Sequence, residues 1–140
     1  MSSNQPYGNF NFRVEIDGIT VAEFSEVSGL GASVDVIEYR TGGDPTTRKL
    51  PGRARMDDLV LRRGVDSNRE LWDWFKGALD GHIVRKNGSV VLLDAAATEQ
   101  SRWNFYRAWI RKYEGPTFNA SGNKVAIEEV VLTHEGIELA

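Results

Sequence analysis

Two spacings of apolar residues along the 140-residue chain predict seven short strands and one helix. Apolar residues at every second position are typical of strands with one buried face. A spacing of three and four residues is typical of a helix with one buried side. The predicted strands are 10–16, 19–24, 33–40, 56–63, 89–94, 99–110 and 125–132. The helix is predicted between the fourth and fifth of them.

Turn and cap signals mark where several of these elements begin and end. Asp17-Gly18 joins the first two strands and is a preferred two-residue hairpin turn. Asn87-Gly88 is the same kind of signal, so we predict a second hairpin turn there. Ser67 and Glu70 have the spacing of a capping box. Gly81 is placed to end the helix.

The apolar residues also predict which faces are buried. The core-facing side of the helix is predicted to comprise Leu71, Trp74, Phe75 and Ala78, with Leu79 at its edge. The strand 99–110 is predicted to place Trp103, Phe105 and Trp109 on one side and Tyr106, Ala108 and Ile110 on the other. In strands 33–40 and 125–132 the apolar side changes part-way, which indicates a bulge or a strand buried on both faces. A small sandwich buries only its inner faces, so we expect the helix or neighbouring subunits to cover some outer faces.

The segment 41–55 lacks the apolar residues of a core element. Its glycines and prolines disfavour a helix or a central strand. Gly-Gly-Asp-Pro and Leu-Pro-Gly form two separate turn signals within it, which favours an arm with defined corners. A disordered insertion is the alternative.

Charge is unevenly distributed along the chain. The whole chain has a net charge of −3, but residues 40–55 contain five cationic residues against one aspartate, a net charge of +4. Residues 125–140 contain four glutamates and no lysine or arginine, a net charge of −4. A basic arm and an acidic end suit head-to-tail association. The residues predicted to contact a neighbouring subunit or ring are Arg40, Gly42, Gly43, Asp44, Pro45, Arg48, Lys49, Leu50, Pro51, Gly52, Arg53, Glu128, Glu129 and Glu135.

The length predicts a single domain over residues 9–140, with a flexible polar tail at 1–8. No catalytic, cofactor or metal site is predicted. The chain has no cysteine, and its two histidines are far apart in sequence. It contains neither a Gly-x-Ser-x-Gly motif nor a phosphate-binding loop. Nucleic-acid binding through the arginines of the arm is an alternative, although the arm has no aromatic residue for base stacking.

The N-terminal residues have no basic or apolar signal segment, and no apolar run reaches the length of a membrane span. We therefore expect synthesis in the cytoplasm without a signal peptide. Export would require release of a whole particle or cell lysis.

Several motifs resemble the tail tube protein family of contractile phages and extracellular contractile injection systems. The most specific are Tyr39-Arg-Thr-Gly-Gly, Arg48-Lys-Leu-Pro-Gly and Leu61-Arg-Arg-Gly64. Asn104, Ala108, Gly115-Pro116 and Ala126-Ile-Glu also fit the family, and the likeness extends from about Pro6 to the end of the chain.

The resemblance implies a small antiparallel β-barrel or sandwich with one flanking helix. It implies hexameric rings that stack head to tail into a hollow tube, with the arm reaching a neighbouring subunit or ring. The implied partners are a contractile sheath, baseplate or hub and terminator proteins, and a cargo of toxin or DNA in the lumen. The particle would be a phage tail or a released extracellular injection particle. The alternatives are the secreted hexameric ring protein of a type VI secretion system, a terminator or minor tube protein, and a nucleic-acid-binding small β-barrel.

Overall fold

A computed structural model describes residues 11–65, 68–116 and 126–140. These residues form ten strands and one helix. The elements are β1 (Asn11–Ile16), β2 (Ile19–Phe24), β3 (Glu26–Ser28), β4 (Ala32–Tyr39), β5 (Arg48–Met56), β6 (Leu59–Gly64), α1 (Glu70–Leu79), β7 (Lys86–Leu93), β8 (Glu99–Glu114), β9 (Ile127–Thr133) and β10 (Gly136–Leu139). The mainly β class and the single helix are confirmed, and β3, β5 and β10 raise the strand count above the predicted seven. The tail 1–8, the cap Ser67 and most of the predicted loop 113–123 lie outside the described residues.

Eight strands form one antiparallel sheet in the order β2-β1-β7-β8-β9-β6-β3, with β10 also paired to β8. The ends of this order, β2 and β3, are consecutive in the chain. They are separated by a bend at Ser25, whose N–H donates to the carbonyl of Arg62 (3.0 Å). Over the described residues no ladder joins β2 to β6, so the sheet does not close into a barrel, which was one of the two architectures implied by the resemblance. Because of the bend, β2 pairs with β1 and β3 pairs with β6, and neither strand pairs with both.

The core lies on the inner face of this sheet, beneath the helix. Its largest fully buried side chains are Phe105, Leu59, Leu61, Ile110, Leu132, Val90 and Val130. From α1, Leu71 and Trp74 are buried against them, and the indole N–H of Trp74 donates to the carbonyl of Val84 (2.7 Å). Leu79 is 62% exposed, so its predicted place at the edge of the core is wrong. At about 100° per residue it points about 140° away from Trp74.

The two ends of the helix differ: its N-cap residue, Arg69, makes no side-chain capping bond, whereas its C-terminal end is capped by backbone hydrogen bonds. Near its start, the side-chain oxygen of Asn68 accepts from the N–H of Glu70 (2.8 Å). At its end, Gly81 has φ +86°, and its N–H bonds to the carbonyl of Ala78 (3.2 Å). The N–H of His82 bonds to the carbonyl of Gly77 (2.8 Å), which completes a Schellman motif. The predicted stop at Gly81 is confirmed.

A bulge in β8 corrects two predictions. Gly88 pairs with Phe105 and Lys86 with Ala108, so β8 has one residue more than β7 between these pairs. The bulge includes Arg107, with φ +52°. Phe105 therefore shares the core with Ala108 and Ile110 instead of facing the other side. Gly88 lies inside β7 and not in a turn. Glycine is required at this position because a Cβ there would lie 2.5 Å from the Phe105 ring.

The apolar residues were predicted to change from one face to the other in strands 33–40 and 125–132, and the two strands have different outcomes. The register shift in β4 between Val34 and Val36 confirms a bulge in the β4–β5 pair. In β9 the pairing with β6 is continuous from Ile127 to Leu132, so this pair has no bulge, and Val130, Val131 and Leu132 are all buried, which fits the alternative of a strand buried on both faces. Glu128 occupies an inward, buried position on β9. In the described part of the chain, no helix has the length and apolar character required to cross a membrane.

Candidate assembly surface

The candidate assembly surface is the hairpin formed by β4 and β5. These strands pair with each other and with no other described strand. Residues 48–55 of the predicted loop 41–55 belong to β5, so the irregular connection is shorter than predicted. Pro51 and Gly52 are accommodated because both strands of an isolated pair are edges, where a missing donor and a bulge are tolerated.

Both faces of the hairpin carry exposed apolar side chains. The register places Val34 and Val36 opposite Ala54 and Pro51 on one face. The other face has Ile37 and Tyr39 opposite Leu50 and Arg48. Val34 is 55% and Val36 61% exposed. Monomeric proteins rarely leave such a contiguous apolar surface uncovered.

The tip of the hairpin is ordered by local hydrogen bonds. Asp44 donates its N–H to the carbonyl of Thr41 (2.9 Å), and its carboxylate accepts from the N–H of Thr46 (2.9 Å). The same carboxylate pairs with Arg48 (3.2 Å). Arg40 donates to the carbonyl of Pro45 (3.0 Å). The Gly42–Pro45 corner predicted from the sequence is thus an ordered turn.

Two of the five cations in this segment remain available to a partner. Arg40 and Arg48 are held at the tip as described, and Arg55 pairs with Asp35 (2.9 Å). Lys49 and Arg53 are exposed and form no ion pair within the described chain. The basic charge of the hairpin is therefore free at these two positions.

The root of the hairpin is anchored to the body of the subunit. The N–H of Asp57 donates to the carbonyl of Gly31 (3.1 Å), and Nε2 of His134 donates to the carbonyl of Asp57 (2.9 Å). Asp58 pairs with Arg111 (2.8 Å). Gly29 has φ +88°, and a Cβ there would lie 1.8 Å from the Asp58 carbonyl oxygen. The hairpin therefore projects from a fixed base.

The acidic residues predicted as partners of the arm are engaged inside the subunit. Glu129 pairs with Arg62 (2.7 Å), and Glu135 pairs with Arg107 (3.0 Å). Glu128 is buried with Arg63 (2.5 Å) and also accepts from the hydroxyl of Tyr113. The structure does not bring these glutamates together with the hairpin of the same subunit. Their contact with another copy remains a prediction, and the carboxylate of Glu128 lies in the interior instead of at the surface.

A second concave surface borders the helix. It is a groove of about 330 Å³ between α1, the β1–β2 turn and residues 82–86. Its apolar wall includes Ile19, Trp74 and Val84, and Asp73 lies on its rim. The sequence predicts a core position for Trp74 and does not predict the groove, since a groove formed by three separate segments leaves no periodic signal.

Within the described ranges, no group of three or more histidine and carboxylate residues is placed to hold a metal ion. Comparison with known proteins supports a structural role instead. Residues 8–138 match the family described as T4-like virus tail tube protein gp19. The chain belongs to this family. The resemblance seen in the sequence is thereby confirmed over nearly the whole chain.

Solved structures agree with this assignment. The PVC sheath-tube complex of an extracellular contractile injection system has a chain 28% identical, with a TM-score of 0.85, over 99% of this chain and 94% of that one. The PVC sheath/tube terminator is 29% identical, with a TM-score of 0.82, over 96% and 95%. Hcp1 from Flavobacterium johnsoniae is 16% identical, with a TM-score of 0.58, over 92% and 94%, and shares the fold. No curated protein sequence matches the chain significantly. The function is that of a tube-forming structural protein.

Proposed function

We propose that six copies of this chain form a ring and that the rings stack head to tail into the inner tube of a contractile injection particle. The number six and the stacking follow the likeness to tail tube proteins. On this proposal the β4–β5 hairpin is the assembly arm, which reaches a neighbouring subunit or ring.

The observation that carries the proposal is the exposure of apolar side chains on both faces of the hairpin. An isolated two-stranded ribbon is only marginally stable in water. It also presents two unpaired strand edges, which are sites for pairing with other chains. Burial against neighbouring copies would cover the faces and protect the edges.

The proposed partners follow from the assemblies of the similar proteins. One neighbour comes from a sheath-tube complex and another from a sheath/tube terminator. We assign this chain a contractile sheath, a terminator and a baseplate or hub as partners. The cargo is a toxin or DNA in the lumen, and the site of action is a phage tail or a released extracellular particle. No catalytic activity is assigned.

A secreted ring protein of a type VI secretion system is the second candidate. Its support is a lower structural similarity, with a TM-score of 0.58 for Hcp1 against 0.85 for the PVC tube chain. The two candidates differ in whether rings stack into long tubes or remain single.

Electron microscopy and sedimentation velocity of the purified full-length protein test the proposal. Over a range of concentrations at moderate salt, we expect six-fold rings and stacked tubes without added cofactor. Single rings at all concentrations would favour the secreted ring protein. A monomer at every concentration, with no tubes in micrographs, would overturn the proposal.

A further inference from the structure

The groove beside α1 has the chemistry of a receptor for a cationic side chain with an aliphatic stem. Trp74 and Val84 provide an apolar wall, and the charged lining residues are Glu70, Asp73 and Lys86, with the Lys86 Nζ beside Gly18 at the β1–β2 turn. Lysine and arginine place their methylene stems on apolar surface while the charged group meets water or a carboxylate. The groove offers both kinds of contact side by side.

Asp73 is the carboxylate available for such a contact. It lies in the first turn of the helix, is exposed and has no ion pair within the described residues. By contrast, Glu129 and Glu135 each hold an arginine of the same subunit. Asp73 therefore has a capacity for a further ion pair that Glu129 and Glu135 already use within the subunit.

Exposed apolar side chains extend this surface beyond the groove. Leu79 ends the helix, and Ile83 and Val84 follow in the segment that leads to β7. All three are exposed in the subunit. An occupant that covers them must itself present apolar side chains beside its positive charge.

The β4–β5 hairpin of a second copy meets both requirements. Lys49 and Arg53 are its unengaged cations, and Val34 and Val36 lie on an exposed apolar face of the same hairpin. A nine-residue strand such as β5 extends about 30 Å, which is enough to reach beyond its own subunit.

We propose that the hairpin of one copy docks on the groove beside α1 of a neighbouring copy, with Lys49 and Arg53 facing Asp73. This inference rests on the proposed function and names the receiving site for its assembly arm. The contact is heterologous, because arm and groove are different surfaces, so it propagates from copy to copy as a ring or stack requires.

Disulfide cross-linking tests the contact directly, because the chain contains no cysteine. The variant carrying Arg53→Cys and Asp73→Cys, assembled and then oxidised, should give a ladder of covalent oligomers on a non-reducing gel. The matched control pairs Arg53→Cys with Ala96→Cys. Ala96 is exposed beyond the far end of β7, whose ends are about 23 Å apart, and this pair should not form a ladder.

Charge reversal separates this inference from the proposed function. Arg53→Glu and Asp73→Arg should each lower the tube yield about tenfold, and the double variant should recover most of it, because the pair is restored with its signs exchanged. Wild-type tubes with neither a ladder nor any effect of the reversals would overturn the groove as the receiving site and leave the proposed function intact. Wild-type protein that forms no rings or tubes would overturn the proposed function itself, and this inference with it.

Discussion

At the scale of single residues, the most consequential interaction is the buried ion pair between β6 and β9. The side chains of Arg63 and Glu128 are each 5% exposed, with Nε and Oε1 2.5 Å apart. The Arg63 guanidinium also lies 5.3 Å from the centre of the Phe24 ring. Removing one partner of a buried pair leaves an uncompensated charge, whereas replacing both by apolar residues of similar volume is often nearly neutral.

We therefore expect Glu128→Leu to destabilise the subunit by about 3–5 kcal/mol. Adding Arg63→Met should recover most of this loss, because no charge then remains buried. Urea unfolding followed by tryptophan fluorescence measures both variants. If the single and double variants lose equal stability, the pair is not coupled as described.

A second ion-pair network links β1 to β8 at the surface and makes stability depend on acid pH. Arg102 donates to Glu15 (2.9 Å) and to Glu99 (2.9 Å). The hydrogen bond from Arg102 lowers the pKa of each glutamate below its ordinary value of 4.5. Because the folded pKa is the lower one, this stabilisation is fully present above about pH 4.5 and is lost as the pH falls through the lowered values.

Glu15→Gln should reduce the loss of folding stability that occurs between neutral and acid pH. The pair is partly exposed, so the expected contribution is at most about 1 kcal/mol. Urea midpoints measured between pH 3 and pH 7, in roughly half-unit steps, compare variant and wild type. Parallel curves for the two proteins would contradict the assignment of the network to Glu15.

At the scale of elements, the packing of β7 on β8 depends on a glycine. A Cβ at Gly88 would lie 2.4 Å from the carbonyl oxygen of Glu15 and 2.5 Å from the ring of Phe105. Glu15 belongs to β1 and Phe105 to β8, and neither neighbour is the free end of a flexible side chain, so β1 and β8 must both shift relative to β7 to admit a methyl group.

Gly88→Ala should accordingly cost about 1–3 kcal/mol through overpacking. Gly42→Ala is the matched control, because a Cβ at Gly42 meets nothing within 4 Å. Thermal unfolding of the two variants should separate them. Equal melting temperatures would mean that β7 and β8 adjust without strain.

The elements that sequence alone predicts are those with a local cause. The β1–β2 hairpin follows from strict alternation around Asp17-Gly18, and the helix follows from its apolar spacing and Gly81. Gly88 was misinterpreted as a turn residue because the ring of Phe105, which requires a glycine there, is distant in sequence. β5 was missed because Pro51 and Gly52 exclude a central strand, and its position at an edge is a property of the tertiary structure. The buried position of Glu128 could not be predicted from the sequence, because its ion-pair partner Arg63 lies 65 residues away.

At the scale of the whole molecule, the subunit consists of a packed body and a projecting hairpin with no core of its own. The body contains the buried apolar core, whereas the hairpin leaves Val34, Val36, Ile37 and Leu50 about half exposed or more. Among the described residues, hydrogen bonds and an ion pair at its root join the hairpin to the body. Folding of the body and assembly should therefore respond to different substitutions.

Val34→Ser with Val36→Ser should change the stability of the isolated subunit by no more than about 0.5 kcal/mol, the usual range for surface positions. The same variant should form no tubes, because its apolar docking face is lost. Val14→Ser is the contrasting variant: Val14 is buried, so it should unfold the body. Calorimetry with electron microscopy distinguishes the two, and normal tubes from the Val34/Val36 variant would contradict the role of the hairpin.

The exposed backbone hydrogen bonds between β4 and β5 also allow hydrogen exchange to show when a subunit is incorporated into a particle. Backbone hydrogen bonds with little packing around them open at almost no free-energy cost, so their amide protons exchange rapidly with solvent. In a free subunit the amides of residues 34–54 should take up deuterium within seconds while those of β8 remain protected. Once neighbouring subunits cover the hairpin, the exchange of its amide protons must slow to the rate seen in the body. Deuterium uptake in this one segment thus dates the incorporation of each subunit into a particle, independently of when that subunit folded.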